Sequence, residues 1–226
     1  RILEFPVMAQ PRALPRRTQT ERSAETRGRL LDATLESLIE VGYAATTTTA
    51  VCERAGLSRG AQVHHFPKKQ DLVVSAVAHL AARHAEELRR RAAALPPGAA
   101  DGSARLSALV DLVAEAFSGP LFTAALELWV GARTDPELHR SLVGFERIAG
   151  RGLAGLWREL AGDLADAERF DAVLELTMHL ARGMALQKIL RSDDSARRRL
   201  LALWQALAAE ALRGPAPSRF PRDTHP

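Results

Sequence analysis

A chain of 226 residues, 46% of them apolar, 5% aromatic and few in β-branched runs, has material for one helical domain with a good core plus a small appended one. Its single cysteine, Cys52, excludes an intramolecular disulfide, and no apolar run of about 18 residues marks a membrane span. The net charge of +4 lies wholly in residues 1–70, where 11 Lys and Arg stand against 7 Asp and Glu, while residues 71–226 carry 20 of each sign. An excess that small says little by itself. Local clusters such as Arg16 with Arg17 and Lys68 with Lys69 matter more to a phosphate partner than the sum.

Residues 1–22 contain Pro6, Pro11 and Pro15 and have no apolar period, so they read as a disordered arm. Arg16 and Arg17 could reach a minor groove from it, the other reading being a solvated tail. A first helix is expected over residues 24–41, with Leu30, Leu31, Leu35, Leu38 and Ile39 facing inward and Gly42 as its stop. Thr47 or Thr48 can then cap a short helix that buries Val51, Cys52 and Ala55, and the place of Cys52 among these makes it a packing residue. Gly56 suits the left-handed end of that helix, Leu57 tucks back into the core, and Ser58 caps another short helix. The spacing is that of a helix-turn-helix.

In that motif the second helix lies in the major groove with its N-terminal residues on base edges, so Arg59, Gly60, Gln62, Val63 and His64 form the expected reading surface beside Ser58. Gln62 has two readings, adenine recognition or a local structural hydrogen bond. Phe66 returns to the core. Lys68 and Lys69, at the opening of the next helix, suit a phosphate.

A long helix over residues 70–94 should end before Pro96-Pro97-Gly98. Beyond it, helices are expected at 102–117, 120–132, 136–161, 167–190 and 195–213. Gly119-Pro120, the Asp135-Pro136 cap, Asp166 and Ser192-Asp193-Asp194 punctuate them. Gly150 to Gly155 falls inside one of these helices and suggests close helix packing. The chain thus divides into an arm (1–22), a helix-turn-helix domain (23–70), a helical domain (71–213) and a disordered tail (214–226). Both of the last two helices have wide apolar faces, including Leu200, Leu201, Trp204, Leu207, Ala208, Ala211 and Leu212 on the final one, enough for a core on one side and a second subunit on the other. Phe117, Phe122, Leu126, Trp129, Phe145 and Met178 are candidates to line a cavity for an apolar or amphipathic ligand, plain core being the alternative, with Arg133, His179 and Gln187 as polar candidates to orient it.

Enzyme chemistry finds little support. His64 and His65 are adjacent and point about 100° apart along a helix, His79 and His84 are five apart, and neither spacing makes a shared metal face. A glycine-rich phosphate loop and a nucleophile elbow are absent from the sequence, and no metal or cofactor is expected.

Over residues 26–80 the chain resembles the TetR family of transcriptional regulators, through RLLDATLESLIEVGYAATT, ERAGLSRGA and HHFPKKQDL in that order. The resemblance implies an all-α protein with an N-terminal three-helix helix-turn-helix domain and a C-terminal helical ligand-binding and dimerisation domain. It implies that Thr47 and Thr49 meet the DNA backbone, that Arg59, Gly60, Val63 and His64 meet DNA from the recognition helix, and that Lys69 meets phosphate. It also implies a homodimer on a double-stranded operator and a cytoplasmic repressor released by a small effector; the alternative is an effector-independent DNA-binding dimer controlled by a protein partner. The sequence departs from the family where Leu then Tyr are usual and this chain has Gln62 then Val63, so the operator does not carry over from a relative.

Overall fold

Thr18 opens the first helix, α1 (Gln19–Ala45), with a reciprocal cap. Its hydroxyl accepts the Glu21 N–H at 3.2 Å, and the Glu21 carboxylate accepts the Thr18 N–H at 2.7 Å. The computed structural model describes residues 18–93, 103–190 and 193–214. The cap therefore places residues 19–22 in a helix, where the sequence suggested an arm; Arg16, Arg17 and the Pro96-Pro97-Gly98 break lie outside the described residues, as does the tail beyond Gly214. Gly42, at φ +76°, interrupts helical geometry where a stop was expected, and the chain runs on through Tyr43 to the short pair α2 (Thr48–Ala55) and α3 (Arg59–His65).

The remaining helices are α4 (Lys69–Ala93), α5 (Ser103–Ala116), α6 (Pro120–Ala132), α7 (Pro136–Ala161), α8 (Phe170–Leu190) and α9 (Asp194–Arg213), with no strand among the described residues. The expected bounds of α6 and α7 agree with these because proline stands at the first helical position of each, where a missing N–H costs nothing. Asp135 caps α7 by accepting the N–H groups of Glu137 and Leu138, both at 2.9 Å.

One boundary differs. Asp166 does not cap α8, because residues Gly162–Asp166 form a 3₁₀ turn and α8 begins at Phe170. Gly162, at φ +58°, ends α7, and Arg105 reaches its last carbonyls, donating to Leu160 at 2.8 Å and Ala161 at 3.2 Å.

The apolar interior shows how the helix-turn-helix is held. Leu30, Leu31 and Leu38 of α1, Val51 of α2, Phe66, and Leu72 and Val73 of α4 share one core with Leu128 of α6 and Leu138 of α7. The DNA-binding half therefore has no separate core. A second cluster joins Leu88 of α4 to Leu112, Val113, Trp157, Leu160 and Phe170, and a third packs Leu201, Trp204, Ala208 and Leu212 of α9 on Leu106, Val110 and Val173.

Polar contacts lock the junction between the halves. Tyr43 donates its backbone N–H to Glu127 of α6 at 2.9 Å and its hydroxyl to Asp135 at 2.6 Å, and its carbonyl accepts from Lys69 of α4 at 2.8 Å. Gln70 also donates to Asp135, at 3.2 Å. The Tyr43 hydroxyl, with help from the Leu138 N–H, holds the Asp135 carboxyl down to about 2. Gly131 permits the approach, since a Cβ there would stand 2.5 Å from Cδ1 of the Tyr43 ring.

Elsewhere glycine has another character. Gly150, Gly152 and Gly155 lie inside α7 as expected, but a Cβ on any of them would meet nothing within 4 Å among the described residues, which corrects the expectation of close helix packing within them. Gly152→Ala is accordingly expected to raise stability by about 0.5 to 1 kcal/mol through helix propensity. Gly131→Ala should lower it by about 1 to 3 kcal/mol by overpacking the junction. Chemical denaturation of the two variants beside the parent chain tests both signs.

Candidate nucleic-acid interface and effector region

Capping fixes the turn between α2 and α3. Thr47 accepts the Ala50 N–H at 3.1 Å, and Ser58 accepts the Ala61 N–H at 3.2 Å. Gly56 takes the left-handed conformation at φ 62°, ψ 40°, while the Leu57 N–H reaches Cys52 O at 2.9 Å and the Gly56 N–H reaches Glu53 O at 3.1 Å. These two bonds make a Schellman end. Arg29 of α1 adds a bond at 2.5 Å to the Ala55 carbonyl, which ties the end of α2 to the first helix. Cys52 is buried here, and burial pushes its thiol up from its ordinary value.

With the turn set, α3 presents Arg59, Gly60, Val63 and His64 to solvent beside Ser58, and α2 presents Thr47 and Thr49. Arg59 spans the two helices by donating to the Thr49 hydroxyl at 3.4 Å. The hydroxyls of Thr47 and Ser58 accept cap bonds but keep their own protons to donate. His65 turns partly inward, where burial and then the neighbouring His64 and Arg27 depress its pKa and favour the neutral ring.

Gln62 does not belong to this surface. It is 2% exposed, and its amide donates to the Phe66 carbonyl one turn on, so of its two readings the local structural bond is the one found. The bond satisfies a carbonyl at the end of α3 that would otherwise be buried without a partner.

Neither lysine stands free. Lys68 is exposed but paired with Glu137 of α7. Lys69 is half-buried, donates to Tyr43 O and sits 4.1 Å from the centre of the Tyr43 ring, and burial lowers its pKa. A phosphate contact from either must compete with these partners.

The six proposed cavity residues do not form one wall. Phe117, Phe122 and Trp129 stack edge to face, with ring centres 5.7 and 6.2 Å apart along the series. Phe145 and Trp129 pack at the edge of the core shared with α1, whereas Met178 and Phe117 pack on the cluster around Trp157, and Leu126 is half-buried on α6. Phe117 and Phe122 line a cleft of about 220 Å³, together with Ser118, Gly119, Thr123, Ala185, Lys188 and Ile189. The polar candidates fall elsewhere: Arg133 ends α6 at the surface, His179 lies beside Glu175 at 3.7 Å, and Gln187 is exposed in a different cleft. Arg182, which the sequence reading passed over, lies on the rings instead, with its guanidinium carbon 5.5 Å from the centre of Phe117 and 5.0 Å from that of Trp129.

A test of the Gln62 assignment follows. Gln62→Ala should cost about 1 to 3 kcal/mol in a denaturant melt, because the Phe66 carbonyl loses its donor. Selection from a random DNA pool should return the same preferred sequence, and a changed preference would put Gln62 back among the reading residues.

Comparison with known proteins agrees with this geometry. Residues 30–76 match the profile of the bacterial regulatory proteins of the tetR family. The HTH-type transcriptional regulator CymR of Pseudomonas putida is 35% identical over 187 residues, which cover 79% of this chain and 86% of that protein. A crystal structure from Pseudomonas aeruginosa PAO1, described as that of a transcriptional regulator, is 26% identical, with a TM-score of 0.59 over 88% of this chain and 95% of that one. The multidrug binding protein EbrR, solved with imidazole, shares the fold at a TM-score of 0.57 and 19% identity, over 85% of this chain and 96% of that one. A buried core that turns the polar face of α3 outward, a family profile across that same segment and a relative matched over most of its length converge: this chain belongs to the TetR family of DNA-binding transcriptional regulators and is not an enzyme.

Proposed function

We propose that the chain acts in the cytoplasm as a homodimeric repressor whose two α3 helices read the half-sites of a palindromic operator, and that a small apolar or amphipathic effector releases it. The observation that carries the DNA reading is the outward set Arg59, Gly60, Val63 and His64 on a helix whose other side is fixed by Gln62 and Phe66. On this reading Arg59 and His64 meet base edges while Thr47, Thr49, Ser58, Lys68 and Lys69 meet the sugar-phosphate backbone. Among the described residues no single helix is long and apolar enough to cross a membrane.

The dimer reading rests on the two faces of α9. Leu201, Trp204, Ala208 and Leu212 pack inward, leaving Leu200, Leu203 and Leu207 outside that face, the last two 59% and 48% exposed. Leu176, Leu186 and Ile189 of α8 are exposed as well. Apolar surface of that extent on adjoining helices fits a self-complementary contact between twofold-related copies. The cleft beside Phe117 and Phe122 favours a small-molecule signal over control by a protein partner, and EbrR, similar in fold, is a multidrug binding protein solved with imidazole and with ethidium.

Two measurements test the proposal. The double variant Leu203→Glu, Leu207→Glu should sediment as a monomer and lose affinity for operator DNA by at least about 100-fold, as expected when two half-sites are no longer bound together; a variant that stays dimeric places the interface elsewhere. Arg59→Ala should relax sequence preference at one operator position, at a cost of about 1 to 3 kcal/mol. A uniform loss on all DNA sequences would make Arg59 a backbone contact.

A further inference from the structure

Arg59 carries the positive charge at the start of α3, and what holds it is neutral. Arg54, five residues earlier, is taken up by the carboxylates of Glu40 and Glu36, and Lys68 by that of Glu137. Arg59 instead donates from Nη1 to the hydroxyl of Thr49 on α2, at 3.4 Å, and no carboxylate pairs with it among the described residues. A second observation places the guanidinium along α2. Burial raises the pKa of the Cys52 thiol, and the Arg59 charge pulls against that rise. Thr49 and Cys52 stand three residues apart and so share one face of the helix.

An arginine at a surface samples many rotamers, and ordering it on a base is part of the cost of binding. A neutral acceptor orders it beforehand and leaves its charge uncompensated, whereas a carboxylate in the same place would compete with the DNA. Thr49 is a fixed point for this purpose. It is the second residue of α2, whose first turn Thr47 caps, and the left-handed Gly56 with the Ser58 cap sets the angle from α2 to α3. Of the five N–H groups of the guanidinium, one goes to Thr49 and four remain, enough for the paired bonds to O6 and N7 of a guanine. The Thr49 oxygen accepts from Arg59 and keeps its own proton to donate to a phosphate oxygen.

We infer that Thr49 is the positioning residue for Arg59, its hydroxyl holding the guanidinium in the base-reading orientation and tying the base that Arg59 reads to the phosphate that α2 grips. The inference rests on the DNA reading above. It gives Thr49 a part in sequence preference, where the resemblance implied a backbone contact alone.

The test compares four full-length chains: the parent, Thr49→Val, which keeps the shape and removes the hydroxyl, Thr49→Ser, which keeps the hydroxyl, and Arg59→Ala. Selection of the parent on a random DNA pool supplies the preferred duplex. Fluorescence anisotropy then gives the affinity of each chain for that duplex and for the same duplex with each base pair changed in turn. Arg59→Ala should lose discrimination at one position of each half-site. Thr49→Val should lower discrimination at that same position by about 3- to 10-fold, part of the roughly 5- to 150-fold that a bidentate base contact supplies, while Thr49→Ser keeps it. Loss of a phosphate bond or damage to the fold acts on all duplexes by one factor and cancels from the discrimination. In a chain that already carries Arg59→Ala, adding Thr49→Val should change discrimination there no further. A Thr49→Val chain that weakens by the same factor on every duplex, or that matches the parent throughout, overturns the inference. So does a loss at a position that Arg59→Ala leaves intact. Should Arg59→Ala itself lose affinity equally on every duplex, the base-reading role of Arg59 fails, and the inference falls with it.

Discussion

Tyr43 is the residue on which the two halves of the molecule depend. Its three polar groups go to three different partners: the backbone N–H to Glu127 on α6, the carbonyl to Lys69 on α4, and the hydroxyl to the Asp135 that caps α7. Each bond crosses from the last turn of α1, just past the Gly42 break, to an element of another part of the chain. Single bonds of this kind contribute about 0.5 to 1.5 kcal/mol, more where one partner is charged, but together they fix the position and orientation of the end of α1. Since the Thr47 cap of α2 stands only a few residues further on, the direction of the helix-turn-helix follows from the same contact set.

That arrangement makes α6 a shared element. It carries Phe122 and Trp129 toward α8, Leu128 into the core beneath α1, and Glu127 to the backbone of Tyr43. A change that tilts or rotates α6 therefore acts on the end of α1 through a side chain of α6 itself, Glu127. Couplings of about 1 to 3 kcal/mol are ordinary for regulatory proteins, and loosening one or two bonds of the Tyr43 set is of that size. The common core argues likewise, since buried residues of α6 and α7 pack among those of α1, α2 and α4.

Much of the local structure was legible in the sequence because its causes are local. Gly56, Ser58, Asp135 with Pro136, and Asp193 act within a few residues, and the helices they bound were expected nearly as found. The outward face of α3 was read from the motif and included Gln62, which the structure buries. Gln62 stayed ambiguous because an amide suits both a base edge and a carbonyl, and only the three-dimensional position of Phe66 O decides between them. The early start of α1 was readable, since Thr18 and Glu21 form a capping-box pair, but neighbouring prolines and basic residues masked it. Tyr43 with Asp135 and Arg182 with its rings were not readable at all. Those partners are separated by 92 residues in the first case and meet across different helices in the second. The cavity candidates Phe122, Leu126 and Trp129 all lie on α6, but packing sends the six candidates toward different neighbours.

Gly42 and Gly131 belong to opposite sides of the junction and act as a matched pair of notches. The absence of a Cβ at Gly42 leaves room for the Glu127 carboxylate, which a methyl there would approach to 2.6 Å, and Gly131 leaves room for the Tyr43 ring. The consequence concerns modularity. A DNA-reading head of this type looks transferable, being short, contiguous and recognisable, yet here it is keyed to its own body by shape at two places and by charge at two more. Grafted onto a foreign helical domain, it would bring Tyr43 and Gly42 to a surface without a complementary glycine or carboxylate. A working hybrid would have to carry α6 and the Asp135 cap along with the head, so the natural unit of exchange is larger than the motif that announces it.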